Sequence, residues 1–381
     1  MDRTLGIFIY QRTVHLASRP GNEVAVVSPV PYFPRWLKTE RWRTASTLAD
    51  FESIGELPVY HPRYALLPKI SMPVHALSMY LGSLALCKAL HKRSRFDCID
   101  AHFVYPDGLA AVLLGKALSI PVTVSARGTD VNLYPSFRLI RPMIRWTLHE
   151  SAALIAVSRA LKEKMVEVGG AAEKIDVIPN GVDATLFRQI SQKDARAKLN
   201  LTEDGPLLLS VGSLMPSKGH ELLIRASELV RRQQAGLRLY ILGDGAFRGE
   251  LESLALKLGL QDCVKFPGKR PNEELPTWFS AADISCLASE REGWPNVVTE
   301  SLACGTPVVG ARVGGIPEIL HSPELGVLVE RTVESIASGI ERALSKRWNH
   351  ERISSETRAR TWTTVAAEVE AVLARQVRTY K

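Results

Sequence analysis

The chain has 381 residues, of which 46% are hydrophobic and 23% charged, a composition typical of a globular protein with two ordinary domains. It excludes a disordered or low-complexity chain, because such chains lack the apolar residues needed for a core. The formal net charge is +8, from 48 Lys and Arg against 40 Asp and Glu. Residues 1–180 hold 22 of those cations and only 15 of the acids, so the excess charge lies mostly in the first half.

The cysteine spacing and the apolar segments indicate the cellular compartment of the chain and whether it binds a metal ion. The five cysteines have no CxxC spacing, which predicts small core residues in a reducing compartment and no metal site. The first residues lack the apolar segment of a signal peptide, and we expect a cytoplasmic location. The uncharged segment 70–87 contains Pro73 and Gly82, and for that reason we predict a packed helix there, not a membrane span.

Short apolar segments alternate with segments of helical periodicity along the whole chain. Strands separated by helix-length connections, and apolar on both faces, predict two α/β domains with parallel sheets. Strands are expected at residues 23–28, 98–101, 122–125, 154–157, 176–178, 207–211, 237–242, 264–266, 284–287 and 307–309, and a closing helix at 362–375. From the Pro and Gly residues near 179–183, we predict domains over 1–185 and 186–360 and a final helix over 361–381.

Two glutamates separated by seven residues, Glu292 and Glu300, are the most informative feature of the second half. Gly293 and Pro295 place the first in a loop, and Asn296 is a candidate N-cap for the helix that carries the second. Hydrolase acids would lie roughly 5–9.5 Å apart, whereas eight helical residues span about 12 Å. A metal site would lack further ligands. The pair is either a clamp for ligand hydroxyls beside an anion-binding helix N-terminus, or two solvated acids.

Three further loops follow predicted strands of the second domain. Because the carboxyl ends of parallel strands meet at one edge of a sheet, we expect these loops to lie beside Glu292. Glycines in them allow the backbone to approach a ligand closely, and Lys218 supplies a point charge suited to phosphate. The candidate residues are Gly212, Ser213, Lys218, Gly243, Gly245 and Lys269.

In the first domain, polar residues follow two neighbouring strands. His102 follows the strand at 98–101, and it could line an acceptor cleft or be a capped structural histidine. Arg127 and Asp130 follow the next strand, and an arginine can hold phosphate or carboxylate oxygens with two hydrogen bonds. By propensity, residues 5–10 could form a strand.

The acid pair and its surroundings resemble the glutamate–seven–glutamate signature of the retaining GT-B-fold glycosyltransferases of family 4 (glycosyl transferases group 1). The resemblance continues through 305–310 and 313–318, and it extends from about Gly6 to Leu328. It implies two Rossmann-like domains facing across a cleft. The first would bind the acceptor and the second a nucleoside-diphosphate sugar, and the C-terminal helix would cross back onto the first domain.

The resemblance also implies roles for individual residues, without a cofactor or a metal ion. The glutamate that matches Glu300 binds ribose hydroxyls in this family, and the one that matches Glu292 engages the donor hexose. Lys218 would stabilise the departing diphosphate, and His102 and Arg127 would lie near the reacting sugar. The other donor-binding candidates are Gly293, Trp294, Asn296 and Val297, and the acceptor-side candidates are Gly6, His102 and Asp130.

The sequence departs from the family pattern at three places. Ser213 stands where an arginine is usual, so that phosphate binding would depend on Lys218 and on the helix beginning near Asn296. Arg127 replaces a histidine, which favours a charged acceptor or a contact to a donor phosphate. Gly6 would end a glycine loop that enters the first helix. The family's first strand would then precede the chain, and we expect an upstream start or an impaired first domain.

The basic first half bears on the acceptor. Aromatic and cationic side chains alternate in the segment 32–43 and at Arg138, Arg141, Arg145 and Trp146. They could meet an anionic membrane surface or a phosphate-bearing acceptor, or be an ordinary solvated face. We expect a lipid-linked or saccharide acceptor in envelope polysaccharide, exopolysaccharide or glycolipid synthesis, at the inner face of the cytoplasmic membrane.

Two alternatives remain open. A sugar-nucleotide epimerase would share the two-domain architecture and the donor pocket. A catalytically impaired protein that binds a membrane surface would account for the basic first half and for the serine at position 213. Nucleic acid is not expected as a partner, because no recognition motif accompanies the charge.

Overall fold

The computed structural model describes residues 6–32, 48–66, 72–201 and 205–380. It divides the chain into two compact units. The first unit contains the residues up to Pro179 and those from Trp362 onward, and the second unit runs from Asn180 to Thr361. Each unit is α/β and is built on a parallel sheet, as predicted.

The described part of the first unit contains a four-stranded parallel sheet and two smaller sheets. Its strands are β1 Val26–Val27, β2 Val30–Tyr32, β3 Phe51–Ile54, β4 Leu57–Tyr60, β5 Arg63–Ala65, β6 Ile99–His102, β7 Val122–Ala126, β8 Ala153–Ala156 and β9 Ile175–Val177. The large sheet has the order β6-β7-β8-β9, and every residue of β7 and β8 is buried. The small sheets are β1-β4-β3 and β2-β5.

The first helix corrects a prediction from propensity. Residues 7–10 are helical, not extended, because they begin the helix Ile7–Ala17, with Gly6 before it in the left-handed region at φ 79°. The apolar run 7–9 suits either structure, but Arg12 and Leu16 complete one buried helical face. The other α-helices in the described part of this unit are His75–Ser94, Leu109–Leu118, Thr129–Asn132, Arg141–Glu150, Arg159–Val168 and Trp362–Tyr380.

The helix His75–Ser94 confirms the helix predicted around residues 70–87, although residues 70 and 71 lie outside the described ones. Gly82 allows it to pack closely, since a Cβ at that position would lie 2.4 Å from the backbone oxygen of Arg63 in β5. Within the described residues, no helix is long and apolar enough to cross a membrane.

The C-terminal helix Trp362–Tyr380 completes the core of the first unit. Val365, Val369 and Val372, which the sequence places at helical spacing, are buried together with Trp362. They form one apolar cluster with residues of the first helix and of the large sheet. The prediction that the last helix returns to the first domain is therefore confirmed.

The first unit ends at Pro179, six residues before the predicted boundary at residue 185. The residues after Pro179 are hydrogen-bonded within the second unit: Asn180 Nδ2 donates to Asn296 Oδ1 and Val182 N to Arg360 O, both at 3.0 Å. Pro and Gly marked the turn correctly, but these long-range bonds decide to which unit the turn belongs.

The second unit is built on six parallel strands with helices between them. The strands are β10 Leu207–Val211, β11 Arg238–Leu242, β12 Val264–Lys265, β13 Ile284–Leu287, β14 Val308–Ala311 and β15 Gly326–Val329. The helices are Gln192–Lys198, His220–Arg231, Arg248–Lys257, Leu275–Ala281, Asn296–Ala303, Ile316–Ile319, Val333–Ser345 and His350–Arg358. The predicted strands at 207–211 and 284–287 are reproduced, whereas β15 was not expected.

The sheet order of the second unit is β12-β11-β10-β13-β14-β15. Numbered within the unit, this is the 3-2-1-4-5-6 order of a doubly wound sheet, which binds ligands where the order reverses, outside the carboxyl ends of the strands. The reversal lies between β10 and β13. The fold therefore predicts a ligand-binding site at the loops that follow these two strands.

Candidate functional site

The loops after β10 and β13 pack directly on each other. Gly219, in the left-handed region at φ 71°, lies so close to the second loop that a Cβ there would be 2.0 Å from Ala288 O. Glu290 N donates to Ser217 O at 2.8 Å. Only glycine fits this crossing, where the backbones of the two loops contact each other directly.

Lys218 and Glu292, two predicted catalytic residues, meet at this crossing. Lys218 Nζ donates to Glu292 Oε1 at 2.7 Å, and the side chains are 28% and 11% exposed. The loop after β14 packs against the backbone of Glu292, since a Cβ on Gly314 would lie 2.0 Å from Glu292 O. A cation and a carboxylate are thereby held at the point where the strand order reverses.

The predicted glycines Gly212, Gly243 and Gly245 lie on the neighbouring loops after β10 and β11. A Cβ on Gly243 would be 1.8 Å from Gly212 O, and one on Gly245 would be 2.3 Å from Leu214 O. Gly243 N also donates to Gly268 O, beyond the end of β12, at 3.2 Å. The loops after β10, β11 and β12 therefore form one continuous rim, on which Ser213 and Lys269 are exposed.

The helix Asn296–Ala303 begins beside Glu292, and its start corrects one prediction. Asn296 is not the N-cap: Pro295 holds that position, and no side chain caps the helix. The Asn296 side chain accepts instead from Asn180 Nδ2. Gly293 and Pro295 are buried, whereas Trp294 and Val297 are partly exposed. Val298 N donates to Pro295 O at 3.0 Å, and the two amides before it lie at a helix N-terminus that no side chain caps, a position suited to a ligand anion.

Glu300 lies in the second turn of this helix and is partly buried. Burial raises the pKa of Glu300 to about 7. Its negative charge in turn contributes to the raised pKa of Cys304, for which burial is the main cause. The two glutamates therefore differ in electrostatic character: Glu292 has a cation as its partner, whereas the Glu300 carboxyl group titrates near neutral pH, well above an ordinary glutamate.

A buried ion pair organises the polar residues of the first unit. Arg12 Nη2 donates to both carboxylate oxygens of Asp100 at 2.7 Å, and Arg12 Nη1 donates to Ser125 Oγ at 2.8 Å. Arg12 is 2% exposed, and these bonds tie the first helix to β6 and β7. We did not identify Arg12 as a site residue from sequence. The signal is a lone cation on the buried face of an otherwise apolar helix.

Arg127 and His102, both predicted site residues, contact each other. Arg127 Nη2 donates to His102 Nδ1 at 2.5 Å, and the guanidinium lies over the ring of Phe8 at 5.2 Å. Burial, together with the positive charges of Arg127 and Arg12, lowers the pKa of His102 well below its usual value. The imidazole is therefore neutral, and its Nδ1 accepts the hydrogen bond from Arg127.

Asp130 shapes the loop that presents Arg127. Its carboxylate accepts from Val104 N at 2.7 Å, Gly128 N at 2.8 Å and Arg127 N at 3.1 Å. Burial raises its pKa, and these amide bonds oppose that effect. Asp130 is thus a buried structural anchor, and Gly6 is the residue that precedes the first helix.

Among the residues that the structure describes, no group of three or more His, Cys, Asp or Glu side chains is arranged as metal ligands would be. The five cysteines are free, and three of them are buried.

Two family profiles match this chain. "Glycosyltransferase Family 4" matches residues 18–186, and "Glycosyl transferases group 1" matches residues 191–360. Together these two ranges include most of both units and all of the loops described in the second unit.

Individual relatives agree with the profiles. A proposed teichuronic acid biosynthesis glycosyltransferase, TuaC of Bacillus subtilis (strain 168), is 26% identical over 357 residues, which are 91% of this chain and 86% of that protein. A D-inositol 3-phosphate glycosyltransferase of Frankia alni is 30% identical over 273 residues, 66% of either chain. Two other D-inositol 3-phosphate glycosyltransferases are matched over only 62% and 45% of their length.

Solved structures share the fold. Sucrose-phosphate synthase from Thermosynechococcus elongatus has a TM-score of 0.81 at 22% identity, over 99% of this chain and 94% of that one. Anabaena HepE in complex with UDP-glucose has a TM-score of 0.69 at 21% identity, over 84% and 86% of the two chains.

We predict that Glu300→Gln stabilises the protein at alkaline pH. The folded-state pKa of Glu300 is about 7, whereas an unfolded glutamate has a pKa of about 4.3. Between these values the unfolded chain releases the proton and the folded chain retains it, so this group lowers stability as the pH rises through that window. The variant should therefore exceed the wild type by a few kcal/mol above about pH 7 and match it near about pH 4.5.

Denaturant unfolding across this pH range measures the difference. Glu250→Gln, at an exposed glutamate of the same unit, is the matched control and should show no such trend. A stability difference for Glu300→Gln that does not change with pH would contradict the assigned pKa.

Proposed function

Since this chain belongs to family 4 of the GT-B-fold glycosyltransferases, we propose that it transfers a sugar from a nucleoside-diphosphate donor to an acceptor hydroxyl with retention of anomeric configuration. The observation that carries the proposal is the contact of Lys218 with Glu292 at the sheet reversal of the second unit, beside the uncapped start of the helix Asn296–Ala303. This arrangement offers fixed positive charge for a diphosphate and a carboxylate for sugar hydroxyls.

The donor would extend along the carboxyl edge of the second sheet. Glu300 would accept ribose hydroxyls, and Glu292 with the amides of residues 293–297 would hold the hexose. Lys218 and the helix N-terminus would hold the diphosphate, because Ser213 offers no charge. The UDP-glucose complex of the structural neighbour HepE supports a nucleotide-sugar donor in this fold.

The transfer needs no protein nucleophile in this proposal. The bond from the anomeric carbon to the diphosphate oxygen breaks, and the acceptor oxygen bonds to that carbon from the same face. The acceptor proton passes to a departing phosphate oxygen, whose charge Lys218 and the helix amides stabilise. Glu292 would orient the sugar ring. With fixed cations and amides in these roles, we propose a reaction without a metal ion or cofactor.

The first unit would bind the acceptor through His102 and Arg127, and Asp130, predicted on the acceptor side, would hold the loop that presents Arg127. The names of TuaC and of the D-inositol 3-phosphate enzymes favour an envelope saccharide or another anionic acceptor. We propose a lipid-linked or saccharide acceptor in envelope polysaccharide or glycolipid synthesis, with the protein at the cytoplasmic face of the membrane. The relatives described above are named as glycosyltransferases, so neither the epimerase nor an impaired binding protein is favoured.

Nucleotide sugars should raise the melting temperature of the protein in a screen of different bases and sugars. A bound donor stabilises by mass action, by about 2.7 kcal/mol at one hundred times its dissociation constant. Free nucleoside monophosphates should give a smaller shift, because they lack the diphosphate that Lys218 binds. A screen without any stabilising nucleotide diphosphate or nucleotide sugar would refute the donor assignment.

Glu292→Gln should lower turnover by about two to three orders of magnitude while leaving the melting temperature within a few degrees. The amide keeps the size of the side chain but cannot balance Lys218 or accept hydroxyl bonds with full charge. Release of the nucleoside diphosphate measures turnover. Glu290→Gln, at an exposed glutamate of the same loop, is the matched control. Unchanged turnover in Glu292→Gln would remove this residue from the mechanism.

Arg127→His should lower kcat/KM for an anionic acceptor more than for its neutral analogue. A hydrogen bond between charged groups contributes about 1.5–3 kcal/mol, so the preference should fall by roughly ten- to a hundredfold. Paired assays with a phosphorylated acceptor and its dephosphorylated form measure this ratio. An equal loss for both acceptors would assign Arg127 to the donor or to the loop structure.

A further inference from the structure

The helix His75–Ser94 of the first unit turns a stripe of apolar side chains toward solvent. Val74, Leu77 and Leu81 are spaced three and four residues apart, and they are 54%, 49% and 62% exposed. Ala76, Met79, Ser83 and Leu90 are buried on the opposite side of the helix. The stripe therefore faces outward because the inner face is packed.

A second exposed apolar segment, Phe137 and Leu139, lies near the start of this stripe. These residues are 42% and 68% exposed. Tyr105 links the two segments: its hydroxyl donates to Met72 O, in the turn before the helix, and its ring packs on Tyr134 with centroids 6.3 Å apart. Tyr134 in turn contacts Phe137, with centroids 6.4 Å apart. Tyr105 and Tyr134 thus connect the two exposed apolar segments.

Both segments are free of acidic residues and rich in cations. The sequence has no Asp or Glu in residues 57–96 or 131–149. Lys88 and Lys92 continue the stripe along the helix, and Lys92 lies about 22 Å from Leu77 along its axis. Five exposed cations lie in these two segments beside the apolar residues, Lys88, Lys92, Arg93, Arg138 and Arg141, and Arg95 and Arg145 are exposed as well.

Trp146, predicted as part of a basic aromatic surface, is partly exposed. Lys116 Nζ lies 5.0 Å from the centre of its ring and covers it. Residues 33–43, the other part of that prediction, lie outside the described residues.

We propose that Val74, Leu77, Leu81, Phe137 and Leu139, with the five exposed cations, form a docking surface for a bilayer that contains anionic phospholipids. The apolar side chains would insert at the level of the headgroups, and the cations would bind their phosphates. A protein partner is less suited to this surface, since protein interfaces are depleted in lysine. This inference deepens the proposed function and rests on it for the identity of the acceptor.

The docking surface adjoins the candidate acceptor cluster. Tyr105, which links its two segments, follows Val104, whose amide donates to Asp130 at 2.7 Å. Asp130 in turn holds the loop that presents Arg127. A lipid-linked acceptor with its chain in the bilayer would therefore present its phosphate-bearing head close to Arg127.

Flotation with vesicles tests the docking surface on the full chain. The wild type should bind vesicles of phosphatidylglycerol and phosphatidylcholine, bind phosphatidylcholine alone at least about tenfold more weakly, and lose binding in high salt. Leu77→Ser with Leu81→Ser should weaken binding about tenfold or more. Lys88→Glu with Lys92→Glu should weaken it by roughly fivefold for each cation.

Leu256→Ser is the matched control for Leu81→Ser, because Leu256 is 65% exposed on a helix of the second unit. It should leave vesicle binding unchanged. The surface is refuted if the wild type does not bind anionic vesicles, or if the stripe variants bind as well as the control. It is also refuted if sedimentation velocity shows a wild-type dimer that the stripe variants dissociate, since the stripe would then bind a second copy.

Stabilisation by nucleotide sugars, measured on the same variants, separates this proposal from the proposed function. Donor stabilisation without vesicle binding would refute the docking surface alone. Vesicle binding without donor stabilisation would support the surface and refute the proposed transfer.

Discussion

Backbone crossings that leave no room for a side chain hold the site of the second unit together. At Gly219, Gly243 and Gly314, a Cβ would lie 2.0, 1.8 and 2.0 Å from a carbonyl oxygen of a neighbouring loop. Lys218 directly precedes the first crossing, and the backbone of Glu292 forms the third. Because the constraint acts on the main chain, the distance between this cation and this carboxylate is set before any ligand binds, which is the preorganisation that electrostatic catalysis requires.

The charges of the site are balanced differently in its two halves. Lys218 and Glu292 neutralise each other, so that an arriving diphosphate would compete with the carboxylate for the ammonium group. Glu300, by contrast, has a pKa raised by burial. The donor would thus meet a charged pair at its phosphates and a weakly acidic carboxyl group at its ribose. Donor binding would replace the contact between Lys218 and Glu292 with contacts to the phosphates. It would give the Glu300 carboxyl group hydrogen bonds to the ribose hydroxyls.

The sequence predicts the strands of the second unit well because they are buried on both faces and bounded by glycine turns. Leu207–Val211 and Ile284–Leu287 are reproduced as predicted. Short strands with exposed residues, such as Phe51–Ile54, carry no such signal. The secondary structure of residues 7–10 is ambiguous in the sequence for a different reason. A short apolar run suits a strand or a helix, and its packing decides between them.

Contacts between distant segments are harder to predict than the elements themselves. The family resemblance names both Lys218 and Glu292 but does not reveal that they bond to each other. Arg12 has no motif, and only the folded sheet shows that Asp100 is its partner. The N-cap prediction failed at Asn296 because its side chain bonds to Asn180, more than a hundred residues earlier in the chain. Local rules describe local structure, and the site is assembled by long-range contacts.

The return of the C-terminal helix to the first unit has a consequence for synthesis on the ribosome. The second unit is one continuous segment, Asn180–Thr361, and its strands are all available once that segment has emerged. The first unit lacks part of its core until Val365 and Val369 have been made. Although its chain is translated first, it is completed last. During elongation the first unit therefore exposes the apolar surface that the helix Trp362–Tyr380 later covers. Chaperones, which bind exposed apolar surface, would bind it at this stage.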